Sequence, residues 1–487
     1  MNRREFLSKT TASAALAGMP KLLLAQAAPT TDAHLTIQPD KHGYPVPKDF
    51  LGVSYESAQL AHPDYFSAQN TSCAGFFRAL GAGGVLRIGG NTSEYAMWTP
   101  NPSSAANAEI PQAVNPDQGH KPAPLTQTTP QAIRNLKDFV ELADWRVIYG
   151  LNLGKGTPEQ AADEAAFVYR TLGQRLICLQ IGNESDLFYK NGLRAPTYDY
   201  GAFASDWQRF HDAVKKRAPQ AKFAGPDTAG TAVWVEEFTR QFQYQIMLLS
   251  THYYAEGPAS DPSMNIERLL RPNPRWVAGV AKIRLAMAQS QLPFRLTEVN
   301  SCYGGGKPGV SNTFASALWA LDLMLQLIDF GASGVNFHTG GYGWYAPTVG
   351  TMANGFVARP EYYALLLFSQ LLGGRMVQSQ LDTAEADPLF VCRAFKDAGG
   401  KMHAVVINKH ARKNVRLTLQ ADQPAERLAV QRLIAPTLDD EADVTLAGAP
   451  VGANGMWQPS RVERTAVRDG VAEVRVPAAS AALLSWE

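Results

Sequence analysis

Leu176-Ile177-Cys178-Leu179-Gln180-Ile181-Gly182-Asn183-Glu184 and Phe294-Arg295-Leu296-Thr297-Glu298-Val299-Asn300 are the stretches that decide how this chain is read. Each is a short apolar run that brings a glutamate to its carboxyl end. Runs of this length without strict polar alternation read as strands buried on both faces, the pattern of a parallel sheet covered by helices. Working outward, six more such runs fall at 50–56, 84–90, 146–153, 221–227, 246–254 and 332–339. Stretches with apolar residues recurring at three and four, including 158–174, 200–218, 277–290 and 312–330, separate several of them. Eight strands alternating with helices over roughly 290 residues predict an α/β fold, a (β/α)8 TIM barrel spanning 49–372.

The pattern changes after the barrel. Short strand-like runs at 389–395, 403–408, 415–419, 428–433, 471–476 and 481–486 follow one another without helices. They predict an additional all-β sandwich over 373–487. Residues 28–48 read as an extended N-terminal segment that pairs with this module. The stretch 99–130, rich in Pro, Asn, Gln and Ala, is the one low-complexity loop.

Residues 1–27 read as a targeting segment rather than structure. Arg3-Arg4 precede a modestly apolar, Ala-rich stretch, and Ala25-Gln26-Ala27 offers a small-residue cleavage site, as in a twin-arginine signal. The apolar run falls short of the roughly 20 residues a spanning helix needs. A periplasmic or secreted protein, free of the membrane after cleavage, is expected. Loss of that segment removes four basic groups and one acidic group, leaving 41 against 43, a net charge of about −2. Basic residues do not cluster into a stripe, so nucleic acid is discounted as a partner. Oligomeric state is not legible. Four cysteines are too few for a disulfide framework and are expected to be free, buried thiols.

Glu184 and Glu298 carry the chemistry. On the strand count they end the fourth and seventh strands, 298 − 184 = 114 residues apart, which is 38 per βα unit over three units. Strands four and seven face each other across a barrel mouth, where the loops after the strands build the site. Cleavage of a glycosidic bond needs a proton for the leaving oxygen and a carboxylate at the anomeric carbon, and two carboxyl groups in different surroundings divide that work. A gap of about 5–5.5 Å gives retention and roughly 6.5–9.5 Å inversion. Asn183 can reach a sugar hydroxyl, and His252-Tyr253-Tyr254 end the neighbouring sixth strand, placing a phenol to orient Glu298. Gly304-Gly305-Gly306 let backbone NH groups approach an anion. Tyr342, Trp344 and Tyr345 read equally well as packing or as a sugar platform. Cys302 has no evident histidine partner, which argues against a thiol nucleophile. The glycine turn is too short for a phosphate loop and no spaced His/Cys cluster suggests a metal, so no cofactor is expected.

Taken in order, Leu86-Arg87-Ile88-Gly89-Gly90, Ile181-Gly182-Asn183-Glu184, Thr251-His252-Tyr253-Tyr254, Glu298, Tyr303-Gly304-Gly305-Gly306 and Ser311-Asn312-Thr313-Phe314-Ala315 resemble the signatures of glycoside hydrolase family 79, which holds heparanase and bacterial β-glucuronidases. The resemblance spans the whole barrel. It implies a retaining mechanism with Glu184 as acid/base and Glu298 as nucleophile, acting on a glucuronate-containing carbohydrate. It implies that Tyr303 with the Gly304 and Gly305 backbone holds the sugar carboxylate, helped by Tyr342 or Tyr345 beside Tyr254, while Glu56 and Asn183 bind hydroxyls. Ser185 departs from the proline that commonly follows the Asn-Glu pair. A near-neutral surface favours an exo-acting β-glucuronidase over an endo-acting, heparanase-like enzyme that would grip a sulfated polymer. A non-catalytic exported carbohydrate-binding protein is the third reading, and the presence of both glutamates argues against it.

Overall fold

The computed structural model describes residues 29–102, 123–340, 343–422 and 424–487. The signal-like segment, Tyr342 and much of the 99–130 loop lie outside the described residues. Eight parallel strands close a barrel: β1 (Leu51–Glu56), β2 (Val85–Gly89), β3 (Arg146–Leu151), β4 (Leu176–Ile181), β5 (Phe223–Thr228), β6 (Leu248–Glu256), β7 (Phe294–Cys302) and β8 (Gly334–Thr339). The ring runs β1 to β8 in chain order and shuts by pairing β8 with β1, Val335 opposite Leu51. Each strand lies within the run that the sequence marks out or within two residues of it.

Two of the barrel's longer helices start where the sequence caps them. Thr157 caps Pro158–Leu172 with a full capping box to Gln160, and Asp199 caps Tyr200–Arg217. Two helices break the amphipathic rule. Phe314–Asp329 and Pro360–Ser369 are buried almost all round. The reason is their position: the amides of Phe314 and Ala315 donate to the Asp440 and Leu438 carbonyls, and Lys409 pairs with Asp322 at 2.6 Å, so Phe314–Asp329 is covered on both sides.

The floor of the barrel is filled by Arg295 on β7. It donates to Asn336 Oδ1 at 2.6 Å and to the Asp49 and Phe50 carbonyls at 2.9 and 3.2 Å. Gly52 and Gly334 have to be glycine, since a Cβ would stand 2.8 and 1.9 Å from the guanidinium. Burial lowers the Arg295 pKa to about 10. Arg295 thus plugs the end of the barrel opposite the strand ends that carry the glutamates.

The all-β module is one curled ten-stranded sheet. Thr30–Pro45 lies in it, antiparallel to Arg375–Thr383 and parallel to Asn414–Ala421. The sequence reading missed Arg375–Thr383, Thr445–Leu446 and Glu463–Ala466. These are half-exposed strands whose apolar content is too thin to register. It also treated 99–130 as one loop, whereas Thr126–Thr128 pairs with Ala96–Trp98. The four cysteines are free and buried. Among the described residues no helix is long and apolar enough to cross a membrane.

Candidate active site

Glu184 does not end β4; it stands three residues beyond Ile181, in the left-handed region at φ 51°. A non-glycine residue there is strained unless its surroundings hold it. They do so here through its own amide, which donates to the Asp227 carbonyl at 2.9 Å, and through the preceding peptide. The Asn183 amide donates to Glu94 Oε1 at 2.5 Å, while Gly154 N binds the other Glu94 oxygen. Burial raises the Glu94 pKa to about 7 against the pull of these amides.

Glu298 lies inside β7 rather than at its end, because the strand continues to Cys302. The β6–β7 register jumps there: Leu296 faces Thr251 and Glu298 faces His252, so Thr297 is the extra residue of a bulge. The bulge turns two consecutive side chains inward. Thr297 Oγ1 reaches Asp227 Oδ1 at 2.5 Å, and Glu298 reaches the mouth. Asp227, at φ 60°, marks the matching irregularity between β5 and β6.

The two glutamates meet. One oxygen of each, with a His252 nitrogen, all lie within 4.8 Å of one another. Their surroundings differ. Glu298 Oε2 accepts from Arg87 Nη1 at 2.6 Å, and Oε1 accepts from the Tyr254 hydroxyl at 2.8 Å. Burial alone would raise its pKa, but His338, His252, Arg87 and the Tyr254 bond bring it down to about 2. Among the described residues the Glu184 carboxyl has one hydrogen-bond partner, His252 Nδ1 at 2.9 Å, and burial raises its pKa despite that partner. One carboxyl is thus held ionised while the other is pushed toward its protonated form.

Behind them runs a buried polar network. Arg87 also donates to Asp227 Oδ2 at 2.6 Å, Asn183 Oδ1 at 2.7 Å, Gln180 Oε1 at 3.0 Å and Ser54 Oγ at 3.1 Å. His252 Nε2 stands 3.2 Å from Asp227 Oδ1. Burial would keep that ring neutral, but Asp227 and Glu298 raise its pKa to about 10, making it an imidazolium. Glu184, His252 and Glu298 have the chemistry of metal ligands. A cation would meet two resident positive charges there, the Arg87 guanidinium and the imidazolium, so the donor set does not favour a metal.

The remaining candidates sit around this pair. Glu56 Oε2 accepts from Thr92 N at 2.8 Å and Thr92 Oγ1 at 2.6 Å, and Oε1 stands 3.4 Å from His338. Gly90 must be glycine, since a Cβ would fall 2.4 Å from that carboxyl. The rings of Tyr303 and Tyr345 stand 6.4 and 6.1 Å from that of Tyr254. Gly304 and Gly305 have φ 84° and 88°, and Trp344 N donates to the Gly305 carbonyl, tying the glycine turn to the loop after β8. Sequence reasoning gave no role to Arg87, Asp227 or His338. The available signal was a charged residue inside an apolar strand, Leu86-Arg87-Ile88, which a buried barrel tolerates only with partners.

A closed (β/α)8 barrel with paired carboxylates at its mouth defines the class as a glycoside hydrolase. Residues 394–483 match the Glycosyl hydrolase family 79 C-terminal beta domain. The chain is 25% identical to a β-glucuronidase of Aspergillus niger, over 92% of each protein. It is 24% identical to heparanase of Rattus norvegicus over 53% of this chain and 49% of that one. In fold it is similar to the crystal structure of a 4-O-α-L-rhamnosyl-β-D-glucuronidase from Fusarium oxysporum, with TM-score 0.71 and 19% identity over 94% and 99% of the two chains. The C-terminal β domain thus matches that of glycoside hydrolase family 79, and the chain as a whole is similar to β-glucuronidase and heparanase.

Proposed function

We propose that the protein is a retaining, exo-acting β-glucuronidase that releases glucuronic acid from glycans or glucuronides by double displacement. The observation that carries this reading is the Glu184–Glu298 approach within 4.8 Å, on the short side of the spacing that separates retention from inversion. Glu298 attacks the anomeric carbon as Glu184 delivers its proton to the departing oxygen. Glu184 then takes a proton from water, which attacks the same carbon and frees Glu298. The β-glucuronidase and heparanase relatives support a glucuronide substrate. Tyr303 and the Gly304–Gly305 backbone, helped by Tyr342 or Tyr345, are assigned to its carboxylate, Glu56 and Asn183 to its hydroxyls, and Tyr254, which donates to Glu298, to the reacting end of the sugar.

The test is Glu298→Gln on an aryl β-glucuronide. Turnover is expected to fall by at least about a thousandfold, on the order of 4 kcal/mol of barrier; unchanged turnover removes the nucleophile assignment. Digestion of glucuronate-containing oligosaccharides decides the mode of action, with single glucuronic acid units expected and larger fragments reversing the exo assignment. Export through a twin-arginine route is the matching proposal for location, supported by Arg3-Arg4 and the Ala25-Gln26-Ala27 site. Retention in the cytoplasm of a fusion bearing residues 1–27 counts against it.

A further inference from the structure

Behind Tyr345 lies a carboxyl group for which the mechanism above has no use. Glu361, second residue of the helix Pro360–Ser369, is 1% exposed. Its Oε1 accepts from Asn300 Nδ2 at 3.2 Å, and its buried Oε2 has no hydrogen-bond partner among the described residues. No ion pair reaches it among the described residues. Burial raises its pKa well above 4.5 and only the Asn300 amide pulls the other way. A carboxylate stripped of water with a single neutral donor is the costly form, and the uncharged acid is the form such a site keeps.

Asn300 is a hub between the nucleophile strand and the loop after β8. It follows Glu298 by two residues on β7. Its Nδ2 stands 3.0 Å from the His338 carbonyl, 3.3 Å from the Tyr345 carbonyl and 3.2 Å from Glu361, and its Oδ1 accepts from Ser301 N at 2.7 Å. The Tyr345 ring is 6.1 Å from that of Tyr254, which binds Glu298, and 5.9 Å from that of His338. A shift of the Asn300 amide therefore moves the Tyr345 backbone and with it the ring.

The geometry points to Glu361 as an uncharged positioning residue that, through Asn300, sets where Tyr345 stands against the sugar's carboxylate. This rests on the assignment of Tyr345 to the glucuronate pocket. The prediction is a split between binding and turnover. The variants are Glu361→Gln, which keeps an uncharged acceptor of the same shape, Glu361→Ala, and Glu361→Leu, which fills the volume without a polar group should the alanine protein fail to fold. KM for an aryl β-glucuronide and the inhibition constant of free glucuronic acid are measured from pH 5 to 8, with melting temperatures alongside. Gln is expected to stay within about twofold of wild type at every pH. Ala or Leu is expected to raise KM and the inhibition constant together, about three- to tenfold, with kcat changed less. A Gln variant as impaired as Ala overturns the proposal, as does an Ala or Leu variant that loses melting temperature with KM unmoved. A wild-type protein that turns over no aryl β-glucuronide overturns instead the activity on which the inference is built.

Discussion

Arg87 on β2 grips the nucleophile candidate directly: Nη1 donates to Glu298 Oε2 at 2.6 Å while Nη2 holds Asp227 Oδ2 at the same distance, with all three side chains buried. One cation thus answers two carboxylates in the barrel interior. Removing it takes the shortest ion pair from both and leaves them only the His252 and His338 rings as positive partners among the described residues, and breaking such a buried pair costs about 3–5 kcal/mol. Arg87→Met is expected to lose that much in urea unfolding and to lose activity even where it stays folded. A variant as stable as wild type removes this account of the core.

The electrostatics set a pH range for the reaction. Glu298, with a pKa of about 2, stays ionised through all mildly acidic conditions, so the alkaline limb belongs to Glu184, whose pKa lies above 4.5. For kcat/KM on an activated glucuronide, Glu184→Ala is expected to abolish that limb. Azide should restore rate and yield the β-azide. A limb that survives the substitution assigns the acid/base role elsewhere.

The same groups make stability depend on pH, with the opposite sign from a raised base. The folded pKa of Glu298, about 2, lies below its ordinary 4.5, and that of Asp227 lies below 3.8. Their contribution is fully present above pH 4.5 and is lost as pH falls toward 2. Melting temperature should drop over that window, and the drop should be smaller in Glu298→Gln.

Asp227 joins the two halves of the site, since its side chain binds Arg87 and His252 and its carbonyl accepts the Glu184 amide. Asp227→Asn is expected to lower kcat about 10- to 100-fold, roughly 1.4–2.8 kcal/mol of barrier, and to lower the pKa of His252 as seen by NMR. An unshifted histidine resonance would show that Asp227 is not what charges the ring.

Lys409 and Asp322 form a buried pair between the sheet and the helix Phe314–Asp329. Lys409→Met strands the aspartate and should cost on the order of 3 kcal/mol, whereas the paired change of Lys409 to Met and Asp322 to Leu should recover most of it. Failure of the double variant to recover would mean that the helix is not fastened by this charge pair.

What could be read in advance follows from range. The eight strands were legible because burial on both faces writes itself as local apolar runs, and Glu184, Glu298 and Tyr254 were legible because they lie at or near the ends of those runs. Arg87, Asp227, His338, Asn300 and Glu361 were not. Each is a single polar residue whose partner sits on another strand or helix, 140 positions away for Arg87 and Asp227, and no local pattern encodes such a pairing. The bulge at Thr297 was invisible for the same reason, since a register shift exists only relative to the neighbouring strand.

Thr30–Pro45 has one further consequence. In the Ala33–Thr383 pair it meets a neighbour 383 − 33 = 350 residues later in the chain, and on its other side it lies against Asn414–Ala421. During synthesis this strand leaves the ribosome with both edges bare and waits through the making of the entire barrel for either to be covered. The first described strand of the chain is therefore among the last to find its place, and the sheet cannot close before Asn414–Ala421 has been made.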